Sequence, residues 1–303
     1  MDIIYGRSPM GGNLGDELNC WLWPKLFGNE IFQKDDQSCL LGIGTMLSDD
    51  PVYNAKWINK EKKYIFGTGV RSNSNFITLD KTFKLLFLRG PLSSYFLGLD
   101  NAYITDAAYC LNLLPEYEGL RNKVKKYKVG FIPYFRSALQ FDWERITNAM
   151  GYHLISPITE DNVYEKLEEM AECEYIITEA MHGAILADSL RIPWCRYNLC
   201  TYQYEGANVA DFKWMDWQYS LDIAQSPYPK IRMTNKINHA VTKLSGKLLN
   251  FNYIFKTSLY NRLYEALGNI DKLEFVLSKD EVLSEKVVQL DDAKRRLQKL
   301  ISL

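Results

Sequence analysis

Short apolar runs alternate with helix-period patterns from the first residues onward. IIY at 3–5 reads as a buried strand, followed by the loop GGNLGDELN and the amphipathic pattern ELNCWLWPKLF. CLLGIG at 39–44, KYIFGTGV at 63–70 and KLLFLRG at 84–90 read as three further strands, each running into Gly. PLSSYFLGL then opens a helix on Pro, and AYITDAAYC at 102–110 reads as a fifth strand. The segment PEYEGLRNKVKKYK, 115–128, is polar and reads as a linker. Beyond it the alternation restarts: strands KVGFIPYF, YHLISP, YIITEA and WCRYNL, with helices WERITNAMG, VYEKLEEMAE and MHGAILADSL between them.

Strands alternating with helices predict doubly wound parallel sheets. Two such α/β units place a cleft between them, at the carboxyl ends of both sheets. The expected organisation is a Rossmann-like domain at 1–120, a second at 121–228 and a helical C-terminal extension at 229–303. The last helical pattern, KVVQLDDAKRRLQKLI, suits docking on its own chain or on a partner copy in an oligomer.

Composition removes several function classes. The 303 residues carry a formal net charge of −1, so no global basic field calls for nucleic acid. The six Cys stand at 20, 39, 110, 173, 195 and 200, and none forms a metal-type CxxC pair. The chain shows no basic-then-apolar leader and no run of 18 apolar residues, which gives the expectation of a cytoplasmic protein with reduced thiols. Residues 223–264 contain no Asp or Glu, yet interleave Lys230, Arg232, Lys236, Lys243, Lys247, Lys256 and Arg262 with Leu248, Leu249, Phe251, Tyr253, Ile254 and Phe255. That mixture fits a helix at an anionic membrane surface, and equally a helix packed on the second domain with a solvated basic face.

Three segments at strand ends are candidates for chemistry. In the first, Gly11 to Asn19, a close backbone and a helix start suit an anion, while Asp16 is equally a helix cap. In the second, Arg89 ends a strand, where a guanidinium can clamp a carboxylate or phosphate or sit in a plain salt bridge; Asp106 stands at a similar strand end. In the third, His182 starts the helix after YIITE. The partial positive charge there lowers a His pKa and suits it to pass protons, though a lone His is more often structural.

Read in order, GNLGDELN, GIG, FGTG, LRGPLSS, TDAA, GFIPY and TEAMHGAILADSLRIPW resemble the polysaccharide pyruvyl transferase family over roughly the first 220 residues. KWMDWQYSL at 213–221 is similar to the Trp-rich segment of the exopolysaccharide ketal-pyruvate transferases. The resemblance implies two Rossmann-like domains in the GT-B arrangement. It implies phosphoenolpyruvate as donor, no metal or other cofactor, and a cyclic ketal as product. The implied acceptor is a sugar in a repeat unit carried on a polyprenyl diphosphate, so peripheral contact with the membrane's inner face is expected.

On this reading His182, Arg89 and Asp16 are the catalytic candidates. Gly12, Asn13, Gly15, Thr68, Gly69, Arg71, Asp106, Tyr134, Arg136, Glu179, Met181 and Gly183 are expected to bind substrate, with Trp214 and Trp217 as faces for the sugar. Many members of the family carry an Arg two residues before the His. Here that position is Ala180, so the cation is expected from elsewhere, such as Arg71 or Arg136. The competing enzyme reading is a GT-B glycosyltransferase using a nucleotide sugar, in which the Glu of TEAMHG would face the donor ribose. A third is a carbohydrate-binding scaffold without catalysis.

Overall fold

In the computed structural model the apolar runs of each half become parallel strands. The structure describes residues 1–6, 12–33, 37–74, 76–138, 140–159, 161–233 and 252–302, less the side chains of Tyr53 and 252–257. The first half contains β1 (Asp2–Ile4), α1 (Leu14–Phe27), β2 (Ser38–Leu41), α2 (Pro51–Asn54), β3 (Lys62–Phe66), β4 (Phe83–Phe87), α3 (Pro91–Phe96) and α4 (Tyr117–Arg121). The second contains β5 (Tyr127–Ile132), α5 (Trp143–Met150), β6 (His153–Leu154), α6 (Val163–Ala171), β7 (Cys173–Thr178), α7 (Met181–Ser189), β8 (Trp194–Arg196), α8 (Thr201–Glu205) and α9 (Ala207–Ser220). Helices Asn252–Leu267 and Asp280–Ile301 follow.

The two sheets differ in winding. The first runs β1-β2-β3-β4, all parallel, so its strand order never reverses. The second runs β6-β5-β7-β8, also parallel, and reverses at β5. Only the second is therefore doubly wound, with its switch point between β5 and β7. Crevices outside the carboxyl ends of strands form at such points.

The expected fifth strand is reduced to one bridge between Leu88 and Tyr103. Asp106 caps a 3₁₀ turn, Ala107–Leu113, through the Ala108 N–H at 2.9 Å, and so ends the extended run. The expected linker is not free chain. Within it, α4 buries Tyr117 and Leu120, and the Tyr117 hydroxyl donates to the Ser189 carbonyl at 2.7 Å.

One apolar core spans both halves. It joins Leu18, Leu22 and Trp23 of α1 to Ala184, Ile185 and Leu186 of α7, and to Trp194, Trp214 and Trp217. The C-terminal helix Asp280–Ile301 belongs to the same core through Leu283, Leu290, Ala293 and Leu297. Having left the second sheet, the chain thus returns to the first, where this helix packs against β4 and the 3₁₀ turn. The middle of the acid-free basic stretch, 234–251, lies outside the described residues. Its end packs on protein: Leu259 and Leu263, with Leu267 just beyond it, are fully buried in the core of the second half. Among the described residues, no helix is long and apolar enough to cross a membrane.

Candidate active site

A cavity of about 650 Å³ opens between the two sheets. Its walls come from the segments after β1 (Tyr5, Gly6), β2 (Gly44 to Met46) and β3 (Arg71), and from those after β5 (Tyr134 to Arg136) and β7 (Glu179 to Gly183). All are carboxyl ends of parallel strands, so the parallel pairing itself directs these loops to one crevice. Asn13 to Asp16, Lys56, Thr201, Tyr204, Glu205 and Lys213 add further polar groups to the lining.

The two halves meet at the loop before α1. The Leu14 N–H donates to the Pro157 carbonyl and the Thr159 N–H to the Gly12 carbonyl, both at 3.0 Å. Asn13 caps α1, its Oδ1 accepting from the Gly15 and Asp16 N–H groups at 3.1 Å. The donors expected to cradle a phosphate are thereby occupied by Asn13 and Pro157. Gly11 lies outside the described residues. Gly15 has a different use: its backbone lies against the His182 ring, where a Cβ would collide with Nδ1.

His182 is the second residue of α7, two residues after the N-cap Ala180. Its Nε2 is shielded from solvent and has no hydrogen-bond partner among the described residues. Burial, aided by the charges of Lys213 and Arg89, pulls its pKa down to about 3, so the imidazole is neutral. Gly183 lets α7 pack on Thr178, whose Oγ1 a side chain at 183 would strike. Met181 lines the cavity beside it.

Asp16 faces the same space. Burial raises its carboxyl to about 7, against the partial relief given by Asn13 and Lys213. Asn13 Nδ2 donates to Asp16 Oδ2. Near neutral pH this group both holds and releases a proton.

Glu179 is 2% exposed and anchors the turn into α8. Its Oε1 accepts from the N–H groups of Leu199 at 2.7 Å, Cys200 at 2.5 Å and Thr201 at 2.7 Å. Burial raises its pKa in spite of these bonds. Its Oε2 has no hydrogen-bond partner among the described residues.

Four cations line the cavity among the described residues: Lys56, Arg71, Arg136 and Lys213. Lys213 pairs with Glu205 Oε2, while the Tyr134 hydroxyl donates to Glu205 Oε1 at 3.1 Å. Burial pushes the Glu205 carboxyl up, but Lys213, Tyr134 and Arg71 outweigh it and hold it below its usual range. Burial pushes the Tyr134 phenol well up, so it stays a donor. Arg136 is exposed and lies over the Tyr204 ring at 5.5 Å.

Six expected site residues lie elsewhere, among them Gly12, whose carbonyl accepts from Thr159 where the two halves meet. Arg89 is fully buried and behind the cavity wall. Its Nε donates to Asp216 at 2.9 Å, Nη2 to the Val70 carbonyl at 3.1 Å and Nη1 to Thr45 Oγ1 at 3.1 Å. It holds the β2 and β3 loops in place and has no open face for a substrate. Thr68 and Gly69 act with it: the Thr68 hydroxyl accepts from the Met46 N–H at 3.0 Å, and the Gly69 N–H donates to the Gly44 carbonyl at 3.2 Å. Asp106 is the buried cap described above, with its pKa raised to about 6 by burial.

Trp217 is fully buried against Trp194 at 5.2 Å and is core, not a sugar face. Trp214 does line the cavity, but it is only 2% exposed and the Arg196 guanidinium covers its ring at 4.5 Å. Both sit on α9. Ala210, Trp214, Trp217 and Leu221 recur at helical spacing and are all buried, and Phe212, Asp216 and Gln218 on the other faces of α9 are buried as well. Lys213 on the same helix and Glu205 at the end of α8, neither of them expected from the sequence, reach the cavity.

The family model described as polysaccharide pyruvyl transferase matches residues 13–199, well over half the chain. The chain belongs to the polysaccharide pyruvyl transferase family. The matched span begins at the Asn13 cap and ends at Leu199, so it contains His182, Glu179 and every strand from β2 to β8, but not β1, Glu205 or Lys213. Over 227 residues the chain is 33% identical to the succinoglycan biosynthesis protein ExoV of Rhizobium meliloti. That alignment covers 74% of this chain and 66% of the relative, just short of two thirds of its length. A functionally uncharacterised protein from Klebsiella pneumoniae superposes with a TM-score of 0.42 at 17% identity, covering 74% of this chain and 93% of that one. The wall teichoic acid polymerase TagF gives 0.34 at 12% identity, covering 86% and 73% respectively. Likenesses this distant carry no argument about chemistry.

Proposed function

We propose that this chain transfers pyruvate from phosphoenolpyruvate to a sugar of a polysaccharide repeat unit, forming a cyclic ketal and releasing phosphate. The observation that carries this reading is a neutral His182 and a proton-holding Asp16 in one cavity with four cations. A donor with a carboxylate and a phosphate needs the cations, and its enol needs an acid.

Asp16 delivers a proton to the donor's methylene carbon, which makes C2 electrophilic. His182 takes the proton of a sugar hydroxyl as its oxygen bonds to C2. The C2–phosphate bond breaks, and a second hydroxyl bonds to C2 to close the ketal. Of the two hydroxyl protons, one restores Asp16 and the other leaves with phosphate. An anionic donor beside His182 favours its protonated form and so raises its basicity once the site is filled.

The repeat unit of this reading is lipid-linked, so the reaction takes place at a membrane surface. Lys230 and Arg232, both exposed, are the described part of the basic stretch suited to that surface.

The test is incubation with phosphoenolpyruvate and oligosaccharides of the host polysaccharide. Phosphate release and acceptor gain of one pyruvyl group are expected together. Turnover that demands a nucleotide sugar instead would establish the glycosyltransferase reading.

A further inference from the structure

We infer that Lys213 is the cation that grips an acidic group of the donor, exchanging its partner Glu205 for the ligand. This rests on the pyruvyl-transfer reading and names a residue for it beyond the span matched by the family model.

Position singles Lys213 out. Arg136 and Lys56 are exposed, and Arg71 is half-buried at the end of the β3 loop. The Lys213 side chain is only 15% exposed, at the cavity wall formed by α9. An ion pair is stronger where water is scarce, so a cation there serves an anion better than one at the mouth. The charge of Lys213 also acts on both Asp16 and His182. A ligand anion held by it therefore stands within electrostatic reach of both proton-carrying groups. At the other side of the cavity, Ala180 offers no charged side chain at the start of α7.

The pairing with Glu205 makes the exchange feasible. Glu205 keeps the Tyr134 hydroxyl, and the charge of Arg71 acts on it as well, so it stays compensated when Lys213 turns away. Lys213 stays compensated by the ligand. Neither charge is left buried alone, which is the costly outcome.

Two variants test this. Binding of phosphoenolpyruvate alone is measured by calorimetry on the full chain, with steady-state kinetics in parallel. Lys213→Met should weaken binding and raise KM roughly 10- to 100-fold, the loss of one charge-assisted contact. It should also move both limbs of the pH–rate profile to higher pH, because the lost charge lowers the pKa of Asp16 and of His182 alike; loss of fold alone moves neither. Glu205→Gln removes the competing carboxylate and should tighten binding severalfold, a gain that structural damage does not produce. If the wild type binds and turns over phosphoenolpyruvate while Lys213→Met keeps its KM and both limbs, this inference falls and the reading stands. If Glu205→Gln weakens binding, the exchange falls. A wild type that neither binds nor turns over phosphoenolpyruvate overturns the reading beneath it.

Discussion

The backbone of Gly15 lies so close to the His182 imidazole that a Cβ at residue 15 would fall well inside contact distance of Nδ1. The first helix of one half and a helix of the other thus fix one ring between them. Gly15→Ala should displace the imidazole while Asn13 still caps α1. A displacement on the order of 1 Å costs about 100-fold in turnover. Phosphate release checks the rate, and circular dichroism checks that the helices survive. An alanine variant with full turnover would show that the ring position does not matter. Removing the ring itself, in His182→Ala, should cost ~10²- to 10⁴-fold, the range of general acid–base loss.

Asp16 and His182 make opposite contributions to stability as pH changes. The Asp16 carboxyl titrates near 7 in the fold and near 3.8 otherwise. Its contribution is complete below about pH 4 and is lost as pH rises through about 7. His182 titrates near 3 in the fold and 6.5 otherwise, so its contribution is present above pH 6.5 and lost as pH falls toward 3. Asp16→Asn should therefore be more stable than the wild type at pH 8, by up to about 4 kcal/mol, and should gain little at pH 4. Urea unfolding at the two pH values measures the difference. A gap that does not widen with pH removes the assignment of a buried, proton-holding Asp16.

Much of this site could be read from the chain, and the reasons for the remainder are physical. The alternation of apolar runs with helix patterns placed His182 at a strand-to-helix junction, because parallel strands must send their loops to one side. It could not show that Arg89 turns inward. Its partner Asp216 is 127 residues away, and only the packing of α9 on α3 brings them together. AYITDAAYC has the composition of a strand, yet the Asp106 carboxylate accepts from the Ala108 N–H and caps a 3₁₀ segment in its second half. The Trp pair misled by residue type. They sit on α9, which is buried on several faces, and on the same helix Lys213 reaches the cavity.

Arg89 is a structural residue, and its loss should appear in stability. The pair with Asp216 is fully buried, and Asp216 also accepts from the Ser93 N–H at 2.8 Å and Ser93 Oγ at 2.6 Å. Removing one partner strands the other charge away from water. Arg89→Met should cost about 3–5 kcal/mol in unfolding free energy. Arg89→Lys should also destabilise, since an ammonium cannot reach Asp216, Val70 and Thr45 together. Chemical denaturation of both variants is the measurement. Wild-type stability with lost turnover would return Arg89 to the catalytic site.

The buried Trp cluster separates an aromatic sugar face from an aromatic core. Trp217 meets Trp194 and Trp214 with ring centres 5.2 and 5.7 Å apart and is fully shielded from solvent. Trp217→Ala leaves a large cavity at the centre of the core shared by both halves and should cost about 3–5 kcal/mol. Trp217→Phe keeps most of the packing and should leave the acceptor KM unchanged, since no part of the ring faces the cavity. Trp214 differs, because it also lines the cavity beneath Arg196. Trp214→Phe should therefore change the acceptor KM as well as stability. Kinetics with varied acceptor and saturating phosphoenolpyruvate compare the two variants. An equal KM increase in both would mean that the sugar reaches Trp217, and that the core opens during turnover.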